Sequence, residues 1–550
     1  MSLRFLFSFL FLSFAVSQEY TIVNITENVD TQTKVAVQAI AGLYNVDGPN
    51  VFVVMTSNDE FWLQELIPVA NQKKVELDDY LQEAFSSFPS ILYDLSQENQ
   101  MPSIVTLAGT KEAIPATQDL ITKYSGNIIL NTTTLWTSPE EAVNYTITCC
   151  LPETTSLAIQ SGNTIFDGYL VDWIVKEKLF TQYLKGQCLP KITGEKSQLK
   201  QTIDDSNWAL PVRVYGYNNI DKLFGGDVFE AETDCIRSMG QIASSHTTNL
   251  AFLSQYQPFK DDVPPGEAGG PMIQTPTDQT KYTYNSSKTY VGLVYGDMDN
   301  LDFVQSFGSV HMRHRNEWCT SIKEKDCYPF TWTLSPNLLY VAPSILRWYY
   351  SKAIPTERDW FIMPPSGSLY SYPGLMSPDD QAAYVEDQNK QAYFMNSTGS
   401  VHWEWLLTWG RAWETYFPRY ISSNGTRFFF LNDVPWKIPI PGMTFLYHED
   451  YRIIGPHNNV NENVIGFKPA FNWQLNGASG GDPGNSTHIA GRINNLKIGS
   501  VQYVYIIQNT PLEAVFKMVA QLEPHVQLVN YEQLADLAVQ HHRFHLSRIE

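Results

Sequence analysis

The stretch that decides the fold is residues 290–300, YVGLVYGDMDN. Tyr290-Val291-Gly292-Leu293-Val294-Tyr295 is a short apolar run of the length of a buried strand, and it runs straight into the polar turn Gly296-Asp297-Met298-Asp299-Asn300. The pattern recurs downstream. Asp359 to Met363 is a second strand that enters a Pro/Gly/Ser/Tyr loop, Phe428 to Leu431 and Met443 to Tyr447 are two more, and Val501 to Gln508 is another. After that last strand, Thr510, Pro511 and Glu513 read as a capping box. Leu512, Val515, Phe516, Val519 and Leu522 then mark one helix face. Strand, polar loop and helix in repetition predict a β/α barrel or a distorted relative of the TIM barrel over residues 278–550. In such folds chemistry sits at the carboxyl ends of the strands.

The N-terminal half has the same α/β character in smaller pieces. Val51-Phe52-Val53-Val54-Met55, Ile104-Val105-Thr106-Leu107 and Ile128-Ile129-Leu130 read as strands. Asp59 to Leu66, with Ser57 or Asn58 as cap, and a stretch from about Pro115 to Tyr124 read as helices. This predicts an N-terminal α/β region over 18–260, built from two or three small units on largely parallel sheets. A Pro/Gly-rich segment, 261–277, is read as a linker.

The first 17 residues carry Arg4, an apolar run from Phe5 to Phe14, and Ala15-Val16-Ser17, the pattern of a secretory signal peptide. Seven Asn-x-Ser/Thr sequons, at Asn24, Asn131, Asn144, Asn285, Asn396, Asn424 and Asn485, and six cysteines fit export into an oxidising compartment. The expected location is therefore extracellular, or the lumen of the secretory and endolysosomal pathway. Cys319 and Cys327 are expected to pair. Cys149, Cys150, Cys188 and Cys235 are expected to pair among themselves, without a bond between the adjacent two. No later segment reaches the length of a membrane span. The net charge of −20 repels a phosphate backbone, which argues against nucleic acid as partner. No Walker A, HExxH or complete GxGxxG is present, and the expected chemistry needs neither cofactor nor metal. The GxSxG match at Gly477–Gly481 has no strand leading into it, and the His541/His545 and His311/His314 pairs have no third ligand nearby.

The loop after the 359–363 strand reads Pro364-Pro365-Ser366-Gly367-Ser368-Leu369-Tyr370-Ser371-Tyr372-Pro373-Gly374. Here the sequence resembles the GxGYxYP glycoside-hydrolase family, the motif falling on Gly367 to Pro373 with Leu369 where the family has Gly. Gly296-Asp297-Met298-Asp299-Asn300 is similar to the family's Ser-Asp-Gly-Asp-Asn, with both acids and the Asn kept. Ser335-Pro336, Ala342-Pro343, Ala41-Gly42-Leu43 and Asp59-Glu60-Phe61-Trp62-Leu63 extend the resemblance over most of the chain. It implies a carbohydrate substrate.

Glycosidic cleavage usually needs two carboxyl groups. Asp297 and Asp299 are the first candidates, with Glu449 or Asp450, in His448-Glu449-Asp450-Tyr451, as the opposing carboxylate across the barrel mouth. Asn300, Ser366, Gly367, Tyr370, Tyr372 and Glu404, the last lying between Trp403 and Trp405, are candidate glycan contacts. The competing expectation is a carbohydrate-binding or structural extracellular glycoprotein without turnover, in which Gly296, Met298 and Leu369 are marks of drift away from catalysis.

Overall fold

A computed structural model describes residues 18–27, 29–183, 206–216, 239–257, 271–275, 282–321, 327–404, 408–421, 423–432, 449–456, 460–475, 482–507 and 510–547. The N-terminal part carries three parallel sheets. β1 (Tyr20–Asn24) lies between β2 (Val51–Val54) and β3 (Gln72–Val75), and β4 (Ser90–Leu92) between β5 (Ile114–Ala116) and β6 (Ile128–Asn131). The third sheet has the order β10-β9-β7-β8, from β7 (Leu157–Ile159), β8 (Phe180–Gln182), β9 (Val212–Gly216) and β10 (Met239–Ala243).

Two expectations are corrected in this part. Ile104–Leu107 is not a strand but the middle of the helix Met101–Lys111, in which every residue from Met101 to Thr110 is buried. An apolar run buried on all sides has no period to distinguish helix from strand, and Pro102 in the first turn starts the helix. The helix Ser57–Leu66 is capped by Thr56, one residue earlier than expected, in a reciprocal box with Asp59. The helix Val171–Glu177 is wedged between Thr31–Tyr44 and Met101–Lys111, and glycines make both contacts close. A Cβ on Gly42 would lie 2.5 Å from the Asp172 carbonyl oxygen, and one on Gly109 3.0 Å from that of Val175.

The C-terminal part holds a seven-stranded and a four-stranded sheet. The first comprises β11 (Thr289–Tyr295), β12 (Phe330–Thr333), β13 (Asp359–Ile362), β18 (Pro469–Gln474), β19 (Asp482–Pro483), β20 (Val501–Ile506) and β21 (Val526–Val529). Its order is β13-β12-β11-β20-β18-β19, and β21 also pairs with β11; every pairing is parallel. The second has the order β14-β15-β17-β16, from β14 (Gly399–His402), β15 (Phe428–Leu431), β16 (Tyr451–Ile454) and β17 (Val464–Phe467), with β16 antiparallel. One parallel bridge, Met363 to Ser400, joins the sheets on one side, and Lys468 alone separates β17 from β18 on the other.

Side chains alternate across these strands as the pleat requires. Tyr290, Val294, Trp360, Ile362, Phe428, Phe430, Tyr503 and Tyr505 share one apolar cluster with Tyr531, Leu534 and Leu537 of the last helix, Tyr531–Leu546. That helix touches both sheets. Leu534 lies against Gly292 of β11 and Tyr531 against Gly399 of β14, where a Cβ would come within 3.1 Å of either side chain. Thr510 does not cap the helix Leu512–Val519; its hydroxyl accepts the Leu475 N–H at 3.4 Å, and Pro511 occupies the cap position. Deeper down, Arg315 and Asp359, both fully buried, pair at 3.1 Å. Asp359 also accepts from Trp332 Nε1 (2.7 Å) and Thr356 Oγ1 (2.6 Å).

Cys319 and Cys327 are disulfide-bonded. So are Cys149 and Cys150, against expectation: they end the helix Pro139–Cys150, and Cys150, at φ −133° and ψ −20°, has left the helical conformation that would splay the two thiols apart. Cys188 and Cys235, most of the expected linker, the Met443–Tyr447 strand and the GxSxG match lie outside the described residues. Among the described residues no helix is long and apolar enough to cross a membrane.

Candidate active site at the strand ends

The turn after β11 is built around Tyr505 of β20. Its ring occupies the space a side chain at position 296 would need, so only Gly fits there. Its hydroxyl donates to Asp297 Oδ1 at 2.7 Å and accepts the Asp297 N–H at 3.1 Å. Asp297 is held at φ +66°, a left-handed conformation uncommon outside glycine. Met298 turns the other way and is fully buried, its methyl packed over Gly308, where a Cβ would lie 2.7 Å away. Gly296 and Met298 thus each have a packing partner that accounts for them.

Asp299 follows, half-buried beside Asp297. Burial, and after it the Asp297 charge, push its carboxyl up to about 7. Asn300 faces inward on its own chain: its Oδ1 accepts the Asp302 N–H at 2.9 Å and caps the next turn. Its side-chain carbonyl is therefore committed to the cap.

Hydrogen bonds tie this turn to its neighbours. Thr333 at the end of β12 donates to the Tyr295 carbonyl (3.0 Å) and accepts from Met298 N–H (3.2 Å), and Ser335 N–H donates to the Met298 carbonyl at 3.0 Å. Asn337 Nδ2 then donates to the Ser368 carbonyl at 2.6 Å, joining the β12 end to the Tyr-x-Tyr loop. Two residues on one face of the helix Pro378–Phe394 clamp that loop. Tyr384 donates to the Leu369 carbonyl (2.5 Å). Gln388 donates to the Ser366 carbonyl (2.6 Å) and accepts the Ser368 N–H (3.0 Å). Gly367, at φ +106°, lies where any Cβ would collide with Gln388. Leu369 does not take up a positive φ. It is buried against Gly240 of β10, so the side chain absent from one position is present at the other.

Ser366 and Trp403 exchange bonds at the end of β14, Oγ to carbonyl (3.0 Å) and N–H to Oγ (3.1 Å). Tyr370 meets Trp403 edge-on at 5.1 Å and its hydroxyl lies 3.4 Å from that of Tyr372; Tyr370 and Trp403 are half-buried, Tyr372 buried. Glu404 is a brace. It accepts the Gly374 N–H (2.7 Å) and the Thr408 hydroxyl (2.6 Å), and lies 3.2 Å from His402 Nε2. With 6% exposure and three partners, it fixes the end of the Tyr-x-Tyr-Pro loop.

Asp297, Asp299, Asn300, Ser366, Gly367, Tyr370, Tyr372 and Glu404 therefore share one rim at the carboxyl ends of β11, β13 and β14. Glu449 and Asp450 do not join it. Asp450 lies beside Gln502, which pairs with Val291 near the start of β11, four residues and about 13 Å of strand rise before Tyr295. Burial raises its carboxyl, with Lys468 and Lys497 opposing; Glu449 is exposed. Sequence reasoning missed Tyr505, Asn337, Tyr384 and Gln388. Only the last pair left a signal, two polar side chains four apart directly after the loop. Among the described residues no three His, Cys, Asp or Glu side chains converge as a metal ion would require.

The fold is similar to that of a crystal structure described as a putative hydrolase from Bacteroides thetaiotaomicron VPI-5482. The TM-score is 0.72 at 17% identity, over 95% of each chain, a likeness of fold. A structure described as a putative polysaccharide deacetylase from Mycobacterium smegmatis aligns at a TM-score of 0.31 and 10% identity, over 48% of this chain and 96% of that one, too low to bear on function. No curated protein matches the sequence. Residues 287–434, which hold the acid turn, the Tyr-x-Tyr loop and Glu404, match the model of the "GxGYxYP putative glycoside hydrolase C-terminal domain".

Proposed function

We propose that the protein is an exported glycoside hydrolase that cleaves a glycan at this rim with Asp299 as acid and Asp297 as its partner carboxylate. The observation that carries the reading is the pair itself. Two carboxyls stand two residues apart at one strand end, one fixed by Tyr505 and the other raised to about 7. An acid with that value still holds much of its proton near neutrality and can give it to the departing glycosidic oxygen, while Asp297 either attacks the anomeric carbon as nucleophile, with water releasing the sugar afterwards, or takes a proton from the water that attacks it. Tyr370 and Trp403, both half-buried, are aromatic rings whose faces suit packing against the C–H groups of a sugar. The matched family lends carbohydrate as substrate class.

The succession β11, β12, β13, β14, β15, β17–β18 and β20, returning to β11, supports a distorted β/α barrel over 278–550, following an α/β region over 18–260 and a linker at 261–277. The signal-like first 17 residues and the sequons support export and glycosylation. Against the reading of a binding protein without turnover, Gly296, Met298 and Leu369 each have a packing partner and need no loss of function to explain them. The test is hydrolysis of an oligosaccharide panel followed by mass spectrometry. Asp299→Asn and Asp297→Asn should abolish cleavage, and Tyr505→Phe should lower kcat at least tenfold. Glycan binding without cleavage by the unaltered protein would overturn the assignment in favour of a lectin-like role.

A further inference from the structure

The third N-terminal sheet reaches the rim. Beyond β10, Ser245 and His246 meet Asp302, three residues after Asp299. The His246 N–H donates to Asp302 Oδ1 at 3.0 Å, Ser245 Oγ donates to Asp302 Oδ2 at 3.3 Å and lies 2.9 Å from His246 Nδ1, and His246 Nδ1 lies 3.5 Å from Asp302 Oδ2. These three residue types suggest a nucleophilic triad, but the geometry excludes one. Serine and aspartate both address Nδ1, so the imidazole cannot relay a proton from one to the other. The outcome is instead an imidazole locked by its Nδ1 edge, with its side chain 59% exposed. Tyr169 meets it edge-on with ring centroids 5.0 Å apart and is itself half-buried.

This ledge is rigidly placed relative to the acid turn. Thr248 and Gln305 exchange bonds of 3.3 and 3.1 Å, the Trp62 indole donates to the Gln305 carbonyl at 2.9 Å, and Thr248 Oγ1 donates to the buried Asp59. The segment that begins at Asp302 is thus bolted to two N-terminal elements, one of which carries His246.

We propose that Tyr169 and His246 form a glycan subsite beside Asp302, on the segment that follows the acid turn, which binds a sugar of the bound glycan away from the scissile bond and selects a neutral pyranose. The proposal rests on the rim being the catalytic mouth and adds the N-terminal region as the source of specificity. The phenol ring offers an apolar face, and imidazole Nε2 offers one directed hydrogen bond to a hydroxyl. Asp302 and Asp167 act on the ledge and Asp297 on the turn, three carboxylates to the one imidazole whose protonation Asp302 favours, so a uronate, sialate or sulfate brought there meets net like charge.

The test uses the full mature chain with neutral and uronate-containing oligosaccharides of equal length. In an Asp299→Asn background, calorimetric Kd for the neutral ligand should rise about tenfold in Tyr169→Ala and in His246→Ala, and by less in His246→Gln, with unchanged melting temperature. In the otherwise unaltered enzyme the same changes should raise KM while leaving kcat within about threefold. The uronate ligand should bind at least tenfold more weakly than the neutral one. Unchanged Kd in both alanine variants, or preference for the acidic ligand, overturns the subsite. Retained cleavage by Asp299→Asn would instead overturn the catalytic reading, and the Kd comparison would still decide the ledge.

Discussion

Replacing Asp299 by Asn removes a titrating group from a site that favours its neutral form, and the effect on stability has a defined sign and pH window. The folded carboxyl titrates at about 7 against an ordinary value of 3.8. Below 3.8 both states hold the proton and the group contributes nothing. Between 3.8 and about 7 the unfolded chain ionises first, so stability falls as pH rises; above 7 the penalty is constant. A gap of about three pH units at ~1.4 kcal/mol each sets a ceiling near 4 kcal/mol. Because Asp299 is only half-buried, solvent screening reduces this to about 2 kcal/mol. Asp299→Asn, of the same shape and without the charge, should be more stable than the parent by about 2 kcal/mol at pH 8 and equal to it near pH 4. Urea unfolding followed by tryptophan fluorescence at both pH values reads this directly. A gain of equal size at both, or a loss at pH 8, would refute the claim that the protein holds Asp299 protonated. Removing the second cause, with Asp297→Asn, should move the titration of Asp299 to lower pH without restoring 3.8, because burial is the larger cause.

The contact between Leu369 and Gly240 predicts a size exchange: Gly240→Ala should cost about 1–3 kcal/mol, while in a Leu369→Gly background the same alanine should stabilise, read as melting temperature in a double-mutant cycle. Equal costs in both backgrounds would sink the packing account. In the core, Arg315→Met should destabilise by about 3–5 kcal/mol because Asp359 is left buried without its cation, and Arg315→Met with Asp359→Asn, which keeps an acceptor for Trp332 and Thr356, should recover part of the loss. A double variant no more stable than the single would show that the ion pair is not what matters.

Strands that end in a polar loop were legible. β11, β13, β15 and β20 all stand where their apolar runs predicted, because a short apolar run cut off by Gly, Pro or amide residues has few other ways to be buried. The acid turn and the Tyr-x-Tyr loop were legible for the same reason, as polar segments following such strands. What holds them in place was not. Tyr505 reaches Asp297, Asn337 reaches the Ser368 carbonyl, and Gln305 reaches Thr248, each through a contact that no local spacing encodes. The expectation for Glu404 went astray from the opposite cause: a carboxylate among tryptophans suggests a sugar platform, but its oxygens are spent on Gly374, Thr408 and His402. Asp450 was linked to the site through its position after an apolar segment, and only the register of β20 shows it to lie toward the strand starts.

The pairing of β11 with β20 and β21 also sets a timetable. The strand that carries the acids has β12 beside its carboxyl end, but its other partners, β20 and β21, come from the last part of the chain, and Asp297 receives its tyrosine from a residue 208 positions later. At about 5–20 residues per second of synthesis, the acid turn waits roughly 10–40 s before Tyr505 exists to fix it. The N-terminal sheets, each made of strands near one another in sequence, can assemble in that interval. A nascent chain thus completes the strands of its N-terminal sheets, His246 among the residues that follow them, long before Tyr505 exists, and the acid turn takes its final form only when the last strands close beside β11.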